Sequence, residues 1–239
     1  MDAARIAELL KPFLGPANDQ RLSTDDLQCI SMYIDILLHW NARINLTAIR
    51  DEEQIVTRHF GESLFAARHL FPRTNREGHR FSRAAGGEDK KPASASEVNE
   101  HVAVADLGSG AGFPGIPLKL WAPYISLTLI ESNHKKATFL REVTRTLRLT
   151  GINILSVRAE TLLPATFNLV MVRAVERFET ILPIAARLLA PGGRLALLIG
   201  SSQAQLVQRK LPGLSWGDAI AIPESKARLL LVGSTLARP

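Results

Sequence analysis

The chain has 239 residues, 46% of them hydrophobic and 22% charged, which is enough for one α/β domain with a small appendage and a packed core. No apolar run approaches the ~20 residues of a membrane span, the start MDAARIAELLKPF has neither a basic leader nor an apolar signal core, and the single cysteine, Cys29, excludes an internal disulfide and a multi-cysteine metal site. The net charge is +6 but unevenly spread, at −3 over residues 1–72, +1 over 73–100 and +8 over 101–239, so the C-terminal part is the one suited to a polyanion. The expectation is a cytosolic protein with no membrane partner and no metal.

In chain order, Arg5 to Leu14 reads as a short helix ended by Gly15-Pro16. Ser23 or Thr24 caps a longer one whose Leu27, Ile30, Ile34, Leu37 and Leu38 form one apolar stripe. The polar run from Asn41 to Thr47 breaks that helix. Asp51 to Leu70 follows as another, on which Ile55, His59, Glu62 and Ser63 fall close together. Residues 73–100 carry only Phe81 and Val98 as large apolar residues and read as a polar linker between a helical subdomain, 1–72, and a main domain, 101–239.

From Val102 the pattern alternates strand and helix. Strands are predicted at Val102 to Ala105, Ile125 to Glu131, Ile152 to Val157, Phe167 to Val172 and Arg194 to Ile199. Helices are predicted at His134 to Leu149, Phe178 to Leu189 and Gln203 to Leu211, with Ala219 to Ile222 and Ala227 to Val232 as a closing strand pair. Regular βα alternation implies a Rossmann-like, doubly wound, mostly parallel sheet with ligands over the carboxyl ends of its strands. Asp106, Glu131, Glu160 and Arg173 all fall at such ends.

Between the first strand and its helix lies Asp106-Leu-Gly108-Ser-Gly110-Ala-Gly112-Phe113, a loop that can take positive φ and let a ligand approach the backbone. Gly110-x-Gly112-x-x-Gly115 matches the dinucleotide fingerprint by letter, but the first strand-end glycine is Gly108, so that register starts two residues late. Asp106 would also repel a pyrophosphate, whereas it favours the ammonium and sulfonium of S-adenosylmethionine. A tight turn with no ligand is the alternative. Glu131 can accept ribose hydroxyls, and Ala159 with Glu160 can meet an adenine edge.

Past the fourth strand comes Val172-Arg173-Ala174-Val175, with no acidic or amide residue followed by Pro-Pro and an aromatic, as exocyclic-amine methylation would require, and no cysteine nucleophile nearby. A ring nitrogen such as guanine N7 has a free lone pair, so positioning against the sulfonium can supply the catalysis, with Arg173 holding a guanine edge or the cofactor carboxylate. The helix after Glu131 carries Lys135, Lys136, Arg141, Arg145 and Arg148, either a solvated face or a phosphate-contacting stripe.

These residues resemble the bacterial small-subunit ribosomal RNA guanine-N7 methyltransferases, also called glucose-inhibited division protein B. The resemblance runs through Trp40-Asn41, Asn45-Leu46-Thr47, Arg58-His59, Glu62-Ser63, the stretch Asp106 to Pro117, Glu131-Ser132, Lys135-Lys136, Phe139-Leu140, Ala159-Glu160 and Arg173-Ala174. It implies a class I S-adenosylmethionine-dependent methyltransferase that methylates N7 of a guanine in the 530 loop of 16S ribosomal RNA; a monomer is expected, and naked RNA, the small subunit and an assembly intermediate are the alternative substrates. Gly108, Phe113, Ala159, Glu160 and Arg173 are then cofactor contacts, beside Asp106, Gly110, Gly112 and Glu131. Arg173 is the catalytic candidate, and Lys135, Lys136, Arg141, Arg145 and His59 are candidates for RNA contact. The chain departs from the family pattern at Glu62 and Asn168, where Asp is common, and at Ile199 and Gly233, where lysines are, with Arg194 or Lys210 as candidate replacements for the lysine before Gly200; 73–100 reads as an insertion. A small-molecule methyltransferase, and a protein that binds S-adenosylmethionine and RNA with little turnover, are the competing functions.

Overall fold

The computed structural model describes residues 1–15, 22–72, 102–173 and 178–236. The expected linker, 73–100, and Ala174 lie outside the described residues.

Helix α1 (Ala3–Leu14) begins where the Asp2 carboxylate accepts the Arg5 N–H at 2.9 Å. Helix α2 (Thr24–Asn41) begins at a capping box in which Ser23 and Asp26 each bind the other's backbone. Of the predicted stripe on α2, Ile30, Ile34 and Leu37 are fully buried, and Tyr33 joins them. The predicted helix from Asp51 to Leu70 is interrupted: α3 (Glu52–Gln54) passes into a π-helical turn (Ile55–Gly61) and then α4 (Glu62–Leu70). One turn of wider winding does not disturb an apolar pattern enough to be read from sequence.

Strands β1 (Ala103–Leu107), β2 (Ser126–Ile130), β3 (Ile152–Leu155), β4 (Phe167–Arg173) and β5 (Leu189–Gly200) form a parallel sheet in the order β3-β2-β1-β4-β5. Strand β8 (Arg228–Ser234) runs antiparallel to β5 and carries β6 (Ser215–Trp216) and β7 (Ile220–Ala221) on its other edge. Strand β5 begins five residues before the predicted start. Leu189 pairs with Phe167, and the Pro191-Gly192-Gly193 segment is absorbed in a register shift before Arg194 pairs with Leu169. The two-residue β6 was not foreseen.

Alternation along the strands feeds two cores. Val104, Leu129, Met171, Leu198 and Leu230 face a cluster shared with α1, α2, α4, α5 (Gly115–Trp121) and α6 (His134–Thr146). Ala105, Val170, Val172, Leu197 and Leu229 face α7 (Phe178–Leu188) and α8 (Ala204–Lys210). The N-terminal helices therefore pack into the same core as one face of the sheet. That places the π-helical turn beside the carboxyl ends of β1 and β4. Among the described residues no helix is long and apolar enough to cross a membrane.

Candidate active site

Over the carboxyl ends of β1, β2 and β4 lie two adjoining cavities of about 580 and 360 Å³ that share Gly108, Glu131 and Ser132. The larger is walled by Leu46, Thr47, His59, Gly110, Phe113, Lys136 and Arg173. The smaller is walled by Ile130, Val157, Ala159 and Glu160, with Ile181 of α7 opposite. Most of the sequence-predicted ligand contacts thus converge on one cleft.

The glycine loop is held at both ends. Asp106 Oδ2 accepts the Gly115 N–H at 3.0 Å, placing a carboxylate at the start of α5, while Glu131 accepts the N–H of Gly110 at 2.9 Å and of Asn133 at 2.7 Å. Gly110 has φ +55°, and a Cβ there would meet nothing closer than the Gly108 carbonyl at 3.8 Å. The backbone is bare to the cleft at that point. Gly112, expected as a contact, faces inward instead: a Cβ on it would collide with the Tyr33 hydroxyl and the Ile116 side chain. Asp106 is also displaced from the expected position, lying fully buried beneath the loop and off both cavity walls. Its Oδ1 has no hydrogen-bond partner among the described residues, and burial raises its carboxyl to about 7.

Phe113 fixes the loop to the helices. Its ring stacks on Tyr33 at 5.3 Å and on His59 at 4.8 Å, with Phe60 edge-on at 5.1 Å. The Tyr33 hydroxyl donates to the Ala111 carbonyl. An aromatic of the loop thereby serves as a wall of the cleft and a plug in the core.

Arg173, at the end of β4, points into this wall. Its Nη2 donates to Glu62 Oε2 at 3.1 Å and to the Arg58 carbonyl at 2.6 Å, and lies 3.1 Å from His59 Nδ1. Glu62 is 1% exposed and also lies 3.3 Å from Arg58 Nε and 3.1 Å from Arg228 Nε. The Arg228 contact is an ion pair by distance whose N–H is not aimed at the carboxylate, leaving that nitrogen without a hydrogen bond. One carboxylate thus serves three guanidiniums, and the neighbourhood carries a formal excess of two positive charges.

His59 was expected to touch RNA, but the structure buries it in the cleft wall with both ring nitrogens engaged, the second by Thr47 Oγ1 at 2.8 Å. Burial first, then Arg173, Arg58 and Arg228, lowers its pKa from 6.5 to about 3. The folded chain therefore binds fewer protons than the unfolded one between those values. The resulting stability is present above about pH 6.5 and lost as pH falls toward 3. His59→Gln is expected to flatten the fall of melting temperature over that window, and an unchanged slope would show that His59 does not titrate on unfolding.

Thr47 was not singled out as a site residue. Asn41 places it: the side-chain oxygen of Asn41 accepts the N–H of Leu46 and of Thr47, at 2.9 and 3.1 Å, and its amide donates to the Thr47 carbonyl at 2.9 Å. Ala159 and Glu160 are fixed by Arg187, whose guanidinium donates to the Glu160 carbonyl at 3.0 Å. Lys136 lines the cleft from the first turn of α6, whereas Lys135, Arg141 and Arg145 are exposed on that helix and Arg148 is exposed just beyond its end.

The departures also resolve. Ile199 is buried in the core on the α7 face, and Gly233 lies under Trp216, whose ring a Cβ would approach to 2.8 Å. Neither suggested replacement reaches the cleft. Arg194 donates to the Leu70 carbonyl at 3.1 Å and lies over Phe71, and Lys210 pairs with Glu179 at 3.1 Å.

The family model described as rRNA small subunit methyltransferase G (GidB) matches residues 26–76 and 92–212. The ribosomal RNA small subunit methyltransferase G of Xanthomonas campestris pv. campestris is 32% identical over 218 residues, covering 91% of this chain and 89% of that protein. The same-named protein of Xanthomonas axonopodis pv. citri is 36% identical over 197 residues, covering 80% of this chain and 79% of its own. Among solved structures, one described as a predicted O-methyltransferase from Agrobacterium tumefaciens superposes with a TM-score of 0.50 at 21% identity, covering 60% of this chain and 78% of that one. That likeness bears out the class I methyltransferase fold. By the extent of its match to the family model and to these relatives, the chain belongs to the rRNA small subunit methyltransferase G family.

Proposed function

We propose that the protein transfers the methyl group of S-adenosylmethionine to N7 of a guanine in the 530 loop of 16S ribosomal RNA, within the small subunit or an assembly intermediate. The residues present fit that methyl donor. Gly110 leaves room for a ligand against the backbone, Glu131 reaches both cavities, and the unpartnered Asp106 oxygen beneath the loop favours a cationic ligand above it. When bound, the donor supplies an electrophilic methyl carbon; the protein supplies position and charge.

One observation carries the choice of acceptor. Of the titratable side chains that the described residues place on the larger cavity's wall, His59 has both nitrogens engaged, Glu131 holds two backbone N–H groups, and Lys136 and Arg173 are cations. An exocyclic amine or hydroxyl would need a base to take its proton, whereas N7 already presents a lone pair. Catalysis then rests on alignment of that lone pair with the methyl carbon. The arginine excess around Glu62 and the exposed cations of α6 support an RNA partner.

Labelled S-adenosylmethionine incubated with small subunits lacking the modification is expected to deliver label to 7-methylguanosine at one site, more weakly as salt rises. Arg173→Ala is expected to lower transfer by about 100-fold, the order associated with misplaced reacting groups. Transfer that resists salt would turn the reading toward a small-molecule acceptor, and undiminished transfer by the variant would remove Arg173 from the mechanism.

A further inference from the structure

The hydrogen-bond chain running from Arg173 through His59 to Thr47 has a fixed direction. A guanidinium nitrogen has no lone pair to accept a ring N–H, so His59 Nδ1, 3.1 Å from Arg173 Nη2, is the bare nitrogen, sharing one of the two Nη2 protons with the Glu62 carboxylate or the Arg58 carbonyl, and the ring proton sits on Nε2. From there it is donated to Thr47 Oγ1 at 2.8 Å. The backbone N–H of Ile49 donates to the same oxygen at 3.1 Å. Both lone pairs of the Thr47 hydroxyl are therefore taken. Its own proton has no acceptor among the described residues, and Thr47 lines the larger cavity.

A threonine hydroxyl ordinarily adapts to its ligand, as donor or acceptor. Here the protein has removed the choice. Guanine carries an acceptor, O6, beside N7 on its major-groove edge, whereas adenine carries an amino donor at the corresponding position. A donor-only hydroxyl bonds the first and confronts the second proton to proton. It also grips the atom next to the one that must be aimed, leaving the N7 lone pair free.

We propose that Thr47 donates its hydroxyl proton to O6 of the target guanine and so determines which purine is accepted, with His59 as the residue that positions it. This rests on the acceptor assigned above.

The test compares single-turnover methyl transfer by wild type, Thr47→Val and Thr47→Ser. The substrates are small subunits carrying either guanine or 2-aminopurine, which lacks O6, at the target site, and S-adenosylmethionine affinity is measured alongside. Wild type is expected to lose roughly 10- to 100-fold on 2-aminopurine, the range associated with one discriminating base contact. Thr47→Val should lose the same factor on guanine and nothing further on 2-aminopurine, Thr47→Ser should stay within a fewfold of wild type, and cofactor affinity should not change. Equal losses by Thr47→Val on both bases, or weakened cofactor binding, would assign the hydroxyl to the methyl donor and overturn the proposal. No transfer to guanine by wild type would instead overturn the acceptor itself.

Discussion

Glu62→Ala is expected to cost about 3–5 kcal/mol of folding stability, the range for breaking a buried ion pair from one side, and to abolish methyl transfer. The carboxylate is 1% exposed and stands against Arg58, Arg173 and Arg228, whose side chains are 46%, 8% and 23% exposed. Its removal strands Arg173 in particular, because Arg58 and Arg228 have routes to water and Arg173 does not. For a chain of this size the loss corresponds to a melting temperature lower by roughly 6–20 °C. Glu62→Gln keeps a hydrogen-bond acceptor for Arg173 but not the charge, and should fall between the alanine variant and wild type. The cause is separable from lost packing: adding Arg228→Gln to Glu62→Ala removes a charge that repels the stranded Arg173, so the double variant should be more stable than the sum of the single changes predicts. Strict additivity in urea denaturation would show that the cost is not one of unpaired charge.

The same cluster shows where reading the chain stops. The glycine loop, the βα alternation and Glu131 were legible because each is local: a turn that demands glycine, a period that changes from two to 3.6, a carboxylate at a strand end. Ser23 as the cap of α2 was equally local. Arg173 was legible as a residue but not as a contact, since Glu62 lies 111 positions away and reaches it only when the N-terminal helices dock on the sheet. Gly112 is assigned to the ligand because a motif shows which residues the turn needs, not which side of the loop each one faces; Asp106 is assigned by its charge, and its burial beneath the loop is not a local property of the strand end. His59 is grouped with the RNA-facing cations by its type, and its burial follows from its stack on Phe113, which is itself stacked on Tyr33. For Thr47 the local signal was there, an asparagine at a helix end followed within six residues by the backbone groups it binds. What sequence could not supply was the direction of the proton, which depends on Arg173 and His59 together.

Substituting the two glycines at the turn should separate the loop's roles in folding and binding. Gly112 has φ +83°, where an L side chain costs about 1–2 kcal/mol on conformation alone. An alanine methyl there would also strike the Tyr33 hydroxyl and come within 2.7 Å of Ile116 Cδ1. Moving Tyr33 breaks its bond to the Ala111 carbonyl and shifts the ring on which Phe113 stacks, and Phe113 in turn supports His59. Gly112→Ala should therefore lose about 2–4 kcal/mol of stability, strain and overpacking together, and with it affinity for S-adenosylmethionine. Gly110 has φ +55°, so its alanine variant bears a similar conformational cost, but the methyl meets nothing within ordinary contact except the Gly108 carbonyl at 3.8 Å. The N–H that Glu131 accepts is unaffected. Gly110→Ala should lose only that conformational cost of about 1–2 kcal/mol yet bind S-adenosylmethionine at least about 10-fold more weakly, because its methyl fills the space where the ligand meets the backbone. Thermal melting and calorimetric titration of both variants read the two effects apart. Wild-type affinity in Gly110→Ala would mean that the ligand does not pass over that residue, while full stability in Gly112→Ala would mean that Tyr33 and Phe113 can move without cost, and the aromatic stack would lose its role in shaping the cleft.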